Sequence, residues 1–233
     1  AGAAFARALG KKTSGSVNFE GRAAGTQVEA FVEGVLLARY NFDTFVTQET
    51  DGGKGLPPLR ELVLVTGDGL SVTDAEEAAA RARVFARAAM IARDLTNLPP
   101  AHLTPEKLGE LATLLADRFG FTAELFGLQE LKDMGCGGLV AVNRGSAHKA
   151  RMIKLSYKPE AASEEVKHLA LIGKGITFDS GGLSLKPAAV MVDMKMDMGG
   201  AAAVLGAFSS MKDLGVKLPV EGWIATTDNM VSG

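Results

Sequence analysis

Apolar and polar positions change rhythm several times along the 233-residue chain, and each change marks an element. Val28, Phe31, Val32, Val35 and Leu36 recur at helical spacing, which predicts a helix over residues 26–40. Thr26-Gln-Val-Glu29 at its start has the form of a capping box. Residues 51–58 hold three glycines and two prolines and read as a loop. Residues 62–66, Leu-Val-Leu-Val-Thr, form a nearly continuous apolar run, which predicts a short strand buried on both faces. A second capping box, Thr73-Asp-Ala-Glu76, opens a long helix rich in alanine and arginine. Its pattern persists to Leu95, and Asn97-Leu-Pro-Pro100 stops it because proline disfavours helix at the residue before it. Thr104 and Pro105 then supply an N-cap and a first-turn proline. Leu108, Leu111, Leu115 and Phe119 form the apolar stripe of that helix, and Gly120 its C-cap.

Beyond Gly120, short apolar runs alternate with helical ones. Strands are expected over residues 122–125, 138–142, 152–157, 168–172 and 220–226, and helices over 128–134 and 198–214. This alternation predicts an α/β fold. The expected architecture is a C-terminal domain with a layered, mostly parallel or mixed sheet flanked by helices, preceded by part of a smaller α/β domain. The corresponding bounds are 1–71 for the end of the first domain, 72–98 for a linking helix and 99–233 for the second.

Composition narrows the function classes. Hydrophobic residues make up 47% of the chain and charged ones 22%, enough apolar material to offset the entropy of ordering, so disorder is excluded. The 25 basic and 27 acidic residues nearly cancel, which argues against nucleic-acid binding as the main role. Cys136 is the single cysteine, so no internal disulfide forms. With only three histidines, the common Cys/His zinc modules are excluded as well. No apolar run reaches the length of a membrane span. Reducing, intracellular conditions fit best. The sequence starts without an initiator methionine or a signal-peptide pattern and stops at Gly233 in what reads as mid-loop, so a processed or cut chain is expected.

Chemistry concentrates between residues 171 and 200, after a strand expected to end near Ile172 and before a helix expected from Met198. Ligand sites in open α/β sheets lie beyond the carboxyl ends of strands, where this segment falls. It carries Lys174, Asp179, Lys186, Asp193, Lys195 and Asp197, with glycines at 173, 175, 181, 182, 199 and 200. The glycine pattern around Lys174 does not fit a phosphate-binding loop. Ser180 lacks a nearby histidine base and the G-x-S-x-G pattern of a nucleophile. A metal site fits better. Asp179 and Asp197 are hard oxygen donors. A lysine can ligate as the neutral amine, and a second, charged lysine can stabilise an oxyanion. Solvated charges around loop turns would give the same spacing, which on its own leaves both readings open.

Longer motifs carry a resemblance. GKGITFDSGGLSLKP (173–187) and MKMDMGGAAAVLGA (194–207) closely resemble the leucyl (cytosol) aminopeptidase family of metallopeptidases. RDLTNLPPAHLTPEKLGELA (93–112), LQELKDMGCGGLVAVNRGS (128–146) and VEGWIATTDNMVSG (220–233) resemble further stretches of its catalytic domain. Residues 1–71 look like the last part of its N-terminal domain. The resemblance implies a two-metal exopeptidase that removes N-terminal, often leucine, residues from peptides. It further implies Lys174, Asp179 and Asp197 as metal ligands, with Asp179 bridging, Lys186 as the charged catalytic lysine, and Met194 as lining for the first substrate side chain. Zinc is the implied metal, with manganese, magnesium or cobalt exchangeable at one site. A bicarbonate base, a homo-hexamer and a cytoplasmic location are implied too, with no nucleic-acid or membrane partner. The family often has Met-Asp-x-Met before the metal helix, where this chain has Met191-Val-Asp-Met194, so Asp193 receives no role. Asp228-Asn229 stands where Glu-Asn is more usual. A second acidic motif, Asn-Thr-Asp-Ala-Glu-Gly-Arg, is expected beyond Gly233. If the molecule ended at Gly233, the alternative is an inactive module keeping only folding or assembly surfaces.

Overall fold

The computed structural model describes residues 1–19, 24–47, 55–160 and 169–232. The chain forms two compact units, Ala1–Met90 and Ile91–Gly233. Among the described residues no helix is long and apolar enough to cross a membrane.

In the first unit, helix α1 (Gly2–Ala8) precedes strand β1 (Ser14–Phe19), helix α2 (Gly25–Ala38), strand β2 (Glu61–Thr66) and the start of α3 (Val72–Asn97). β1 and β2 pair in parallel, Ser14 opposite Glu61, with α2 as part of the crossover. Val28 and Val32 of α2 pack with Ala78, Ala79 and Ala82 of α3. Phe31 meets the rings of Phe5 and Phe19, with centroids 5.3 and 5.5 Å away. β2 alternates between half-buried and exposed residues, and Val63 and Val65 face outward. The expected burial on both faces is therefore corrected: among the described residues only one face of this sheet is covered.

Both capping boxes are also corrected. α2 starts at Gly25, one residue before Thr26, and the Gln27 side chain accepts the Ala24 N–H at 3.2 Å. α3 starts at Val72, and Ser71 Oγ accepts the Asp74 N–H at 3.1 Å. In α2 the third helical residue reaches back to the cap, and in α3 the residue before the helix caps it, because the unpaired N–H groups belong to the first turn alone.

The second unit holds α4 (Pro105–Phe119), β3 (Thr122–Phe126), α5 (Leu128–Asp133), α6 (Gly137–Val142), β4 (Arg151–Tyr157), β5 (Leu169–Asp179), α7 (Ala188–Met191), α8 (Gly199–Phe208) and β6 (Val220–Asn229). Its sheet is mixed, in the order β3-β4-β6-β5. β3–β4 and β4–β6 are antiparallel, and β5–β6 is parallel. Leu108, Ala112 and Ala116 of α4 and Leu205 and Phe208 of α8 join Ile153, Leu155 and Ile224 of the sheet in one core. α4 is built as its sequence predicts: Thr104 Oγ1 accepts the Lys107 N–H at 3.2 Å, and Gly120 adopts φ 75° at the C-cap.

Three expectations change here. The run 138–142 is helix α6 rather than a strand. A five-residue apolar run carries no periodicity that separates the two. Gly135, at φ 74°, turns the chain so that Cys136 opens a helical turn instead of a sheet ladder. The strand expected over 168–172 begins at Leu169 and runs on to Asp179, while His168 lies outside the described residues. So do residues 51–54 of the expected loop. α8 ends at Phe208 rather than at 214. Ser209 and Ser210 donate their hydroxyls to the carbonyls of Gly206 and Ala207, each at 2.7 Å, and such local bonds compete with helix continuation.

Candidate active site

β5 extends through its glycines because other backbone comes close there. A Cβ on Gly173 would sit 2.8 Å from the Gly200 carbonyl oxygen, and one on Gly175 would sit 2.8 Å from the Ala225 oxygen. The start of α8 is thereby laid directly against β5. Lys174 pairs in register with Ala225, and Asp179 with Asn229. Asp179 lies five positions after Lys174, an odd step that in a regular strand puts their side chains on opposite faces. A bulge intervenes: Ile176 to Asp179 spans three residues where Thr227 to Asn229 spans two. The extra residue reverses the alternation, so Asp179 returns to the face of Lys174.

After Asp179 the chain turns back sharply. Gly181 and Gly182 take φ 89° and 63°, backbone that other residues adopt only at a cost. The Lys186 N–H reaches the Ser180 carbonyl at 2.9 Å, closing the turn. This returns the Lys186 side chain to Asp179, where Nζ donates to Oδ2 at 2.7 Å. The same ammonium donates to Met194 Sδ at 2.9 Å. Gly181 N–H and Asn229 Nδ2 donate to the other carboxylate oxygen, Oδ1, at 2.9 and 2.8 Å. Burial alone would raise the Asp179 carboxyl pKa. The hydrogen bonds from Lys186, Gly181 and Asn229, with the Lys186 charge, overcome that and hold it at about 2. Asp179 is therefore a fixed anion at neutral pH.

A second pair stands beside the first. Lys174 Nζ lies 3.1 Å from Asp197 Oδ2. That oxygen is buried and has no hydrogen-bond partner, so the amine is near it without being aligned to it. The Asp197 N–H reaches the Met194 carbonyl at 3.3 Å, which ties the two pairs together. Thus Asp179, Lys186 and Met194 are joined by direct side-chain hydrogen bonds, and Lys174 and Asp197 by an ion pair. Lys195 turns elsewhere and donates to the Asn97 carbonyl at 3.2 Å. Leu183, Leu185, Val190 and Val192, all exposed, give the neighbouring loop an apolar surface.

Among the described residues no group of three or more His, Cys, Asp or Glu side chains gathers for a metal. The available set is mixed instead, two carboxylates and one amine. An orphaned buried carboxylate oxygen facing an unaligned amine is what a shared cation would satisfy, so the donor set fits a divalent ion with nitrogen and oxygen ligands. Ser180, rejected above as a nucleophile, donates its hydroxyl to the Asn229 carbonyl at 2.7 Å. Sequence reasoning gave Asn229 no role. Its signals were a place just past the strand expected over 220–226, where sites in α/β sheets gather, and its match to the asparagine of the family's usual Glu-Asn pair.

The Cytosol aminopeptidase family, catalytic domain, matches residues 90–233. The chain belongs to the cytosol aminopeptidase family. A probable cytosol aminopeptidase of Chlorobium phaeobacteroides is 41% identical over 212 residues, covering 90% of this chain and 42% of that protein. A probable cytosol aminopeptidase of Syntrophotalea carbinolica is 45% identical over 194 residues, covering 83% of this chain and 38% of that protein. Among solved structures, the bottromycin maturation enzyme BotP in complex with Mn superposes with a TM-score of 0.84 at 34% identity. The match covers all of this chain and 47% of BotP. This member of the cytosol aminopeptidase family thus spans less than half the length of these relatives.

Proposed function

We propose that the protein works as a metal-dependent aminopeptidase that releases N-terminal, leucine-like residues from peptides. Lys174, Asp179 and Asp197 would hold divalent cations, with Asp179 shared between two of them. Zinc is the expected metal, with manganese, magnesium or cobalt able to replace it at one position. When bound, the cations supply Lewis-acid polarisation and a water of lowered pKa.

The chain's own residues do the rest. Lys186 donates to Asp179 and to Met194, from where its ammonium can meet the scissile carbonyl and the negative charge that develops on it. Met194 offers a polarizable, adaptable apolar wall to the first side chain of the peptide. Leu183 and Leu185 extend that apolar surface. A homo-hexamer in the cytoplasm is the assembly and location this reading carries with it.

The observation that supports the reading most is the buried, hydrogen-bond-free Asp197 Oδ2 placed 3.1 Å from the Lys174 amine. Hydrolysis of Leu-p-nitroanilide with added Zn²⁺ or Mn²⁺, together with metal analysis, tests it. Turnover that needs metal and disappears in Lys186→Ala is the expected result. Metal-independent turnover, or equal cleavage of peptides with blocked N-termini, would sink it.

A further inference from the structure

Asn229 stands where it can govern Asp179, and it does so from a different strand. It is the register partner of Asp179 across the β5–β6 pair, at the end of the bulge. Its backbone carbonyl accepts both the Ser180 N–H at 3.0 Å and the Ser180 hydroxyl at 2.7 Å. These two hydrogen bonds to the main-chain carbonyl fix where the chain leaves β5. Its side-chain Nδ2 donates to Asp179 Oδ1 at 2.8 Å. Its amide oxygen is confined from the other side by Gly182, where an added Cβ would sit only 2.8 Å away. The amide is thus held through its donor, which faces the carboxylate, while its oxygen lies against the backbone of Gly182.

We propose that Asn229 is a positioning residue for the metal site: it fixes the Asp179 carboxylate so that one oxygen is reserved for the cation. The inference rests on the proposed metal-dependent function and names the residue that prepares its ligand. Asp179 Oδ1 already accepts two N–H groups, from Gly181 and Asn229. Oδ2 meets only the ammonium of Lys186, a cation that another cation can displace. Without Asn229 the carboxylate keeps one backbone donor on Oδ1 and can rotate about its last torsion, which is broad for a terminal carboxylate. A ligand that must be frozen at the moment of binding binds more weakly. Outer-shell partners of metal ligands characteristically govern affinity by 10–100-fold on this account. An acid at this position would not serve, because the atom facing Oδ1 must carry a hydrogen.

The test compares Asn229→Leu, which keeps the volume and removes the donor, with Asn229→Ser, which keeps a shorter donor. Thr226→Val on the same strand is the control. Mn²⁺ affinity is measured by competition with a chelating dye, unfolding is followed without metal, and Leu-p-nitroanilide turnover is followed against Mn²⁺ concentration. The expected result is a 10–100-fold weaker Mn²⁺ affinity in Asn229→Leu and a smaller loss in Asn229→Ser. The metal-free midpoint should fall by less than in Lys186→Met, since a neutral donor is lost rather than a charged one; Thr226→Val should leave Mn²⁺ affinity unchanged, and turnover should recover at saturating Mn²⁺. Unchanged affinity overturns the inference. So does a loss of metal-free stability in both Asn229 variants as large as the loss of binding, or turnover that excess metal does not restore. If the unaltered protein takes up no Mn²⁺ that Asp197→Asn weakens, the proposed function itself fails and this inference with it.

Discussion

Two lysine–carboxylate pairs lie side by side in the second unit, and they are built differently. Lys186 and Asp179 are the inner pair, with side chains 26% and 17% exposed and a hydrogen bond of 2.7 Å. Lys174 and Asp197 are the outer pair: the lysine is 60% exposed, and the contact at 3.1 Å lacks hydrogen-bond alignment. Distance alone would class both as salt bridges. Their surroundings separate them. Asp179 is held by three donors besides its ion pair's charge, whereas Asp197 Oδ2 is buried with no donor aligned to it. The inner pair is closed by aligned hydrogen bonds, and the outer one is a close ion pair without them.

This contrast can be broken by experiment, and the largest effect concerns the outer pair. Lys174→Met should lower kcat/KM for Leu-p-nitroanilide by about 10³-fold or more, through loss of a metal donor that no other residue replaces. Metal-free unfolding of the same variant should shift by less than about 1 kcal/mol, as for most exposed pairs. A large loss of metal-free stability would make the outer pair structural after all.

Lys186→Met comes next. It should lower kcat by about 10²- to 10³-fold, the usual effect of removing one donor to a developing oxyanion. Unlike Lys174→Met, it should also destabilise the metal-free protein, by about 1–3 kcal/mol, because the half-buried Asp179 carboxylate loses its charged donor. Equal metal-free stabilities of the two lysine variants would erase the distinction between the pairs.

The pH dependence sharpens the same point. The folded-state pKa of Asp179 lies at about 2, below its ordinary 3.8. Its stabilising contribution is therefore complete above pH 3.8 and is lost as the pH falls from there toward 2. The loss should be on the order of 1–2 kcal/mol, read by denaturant unfolding of metal-free protein across that window. Asp179→Asn should flatten the curve there, while Asp197→Asn should leave it in place.

The smallest effect is expected on β6, away from both pairs. Thr226 buries a hydroxyl that has no hydrogen-bond partner. Replacing it with valine, of nearly the same shape, should stabilise the protein by up to about 1 kcal/mol without moving metal affinity. A fall in stability would mean that the hydroxyl is satisfied in solution.

Elements specified within one turn of their own residues were legible before the fold was known. Thr104, Pro105 and Gly120 bound α4 because capping groups act on backbone three or four residues away. The strands near 152–157 and 220–226 were legible because their apolar runs are bounded by turn signals. The run at 138–142 was not, since its length and composition suit a strand and a helix equally. Gly173 and Gly175 stand beyond the strand expected to end near Ile172, yet they lie inside β5, because glycine admits a backbone neighbour too close for a side chain. That close approach depends on α8 and β6, which no local window contains.

The candidate site divides along the same line. The sequence by itself determined its chemistry: a dense set of lysines, aspartates and glycines, in motifs specific enough to point to Lys174, Asp179, Lys186, Met194 and Asp197. The tertiary structure alone decided which of those groups face each other. Spacing puts Lys174 and Asp179 on opposite sides of a strand, and only the bulge against β6 returns them to one side. Asn229 entered through that same register, 50 residues along the chain from the carboxylate it holds. Side-chain alternation is a property of one strand, whereas a bulge is a property of two, so only the pairing could decide it.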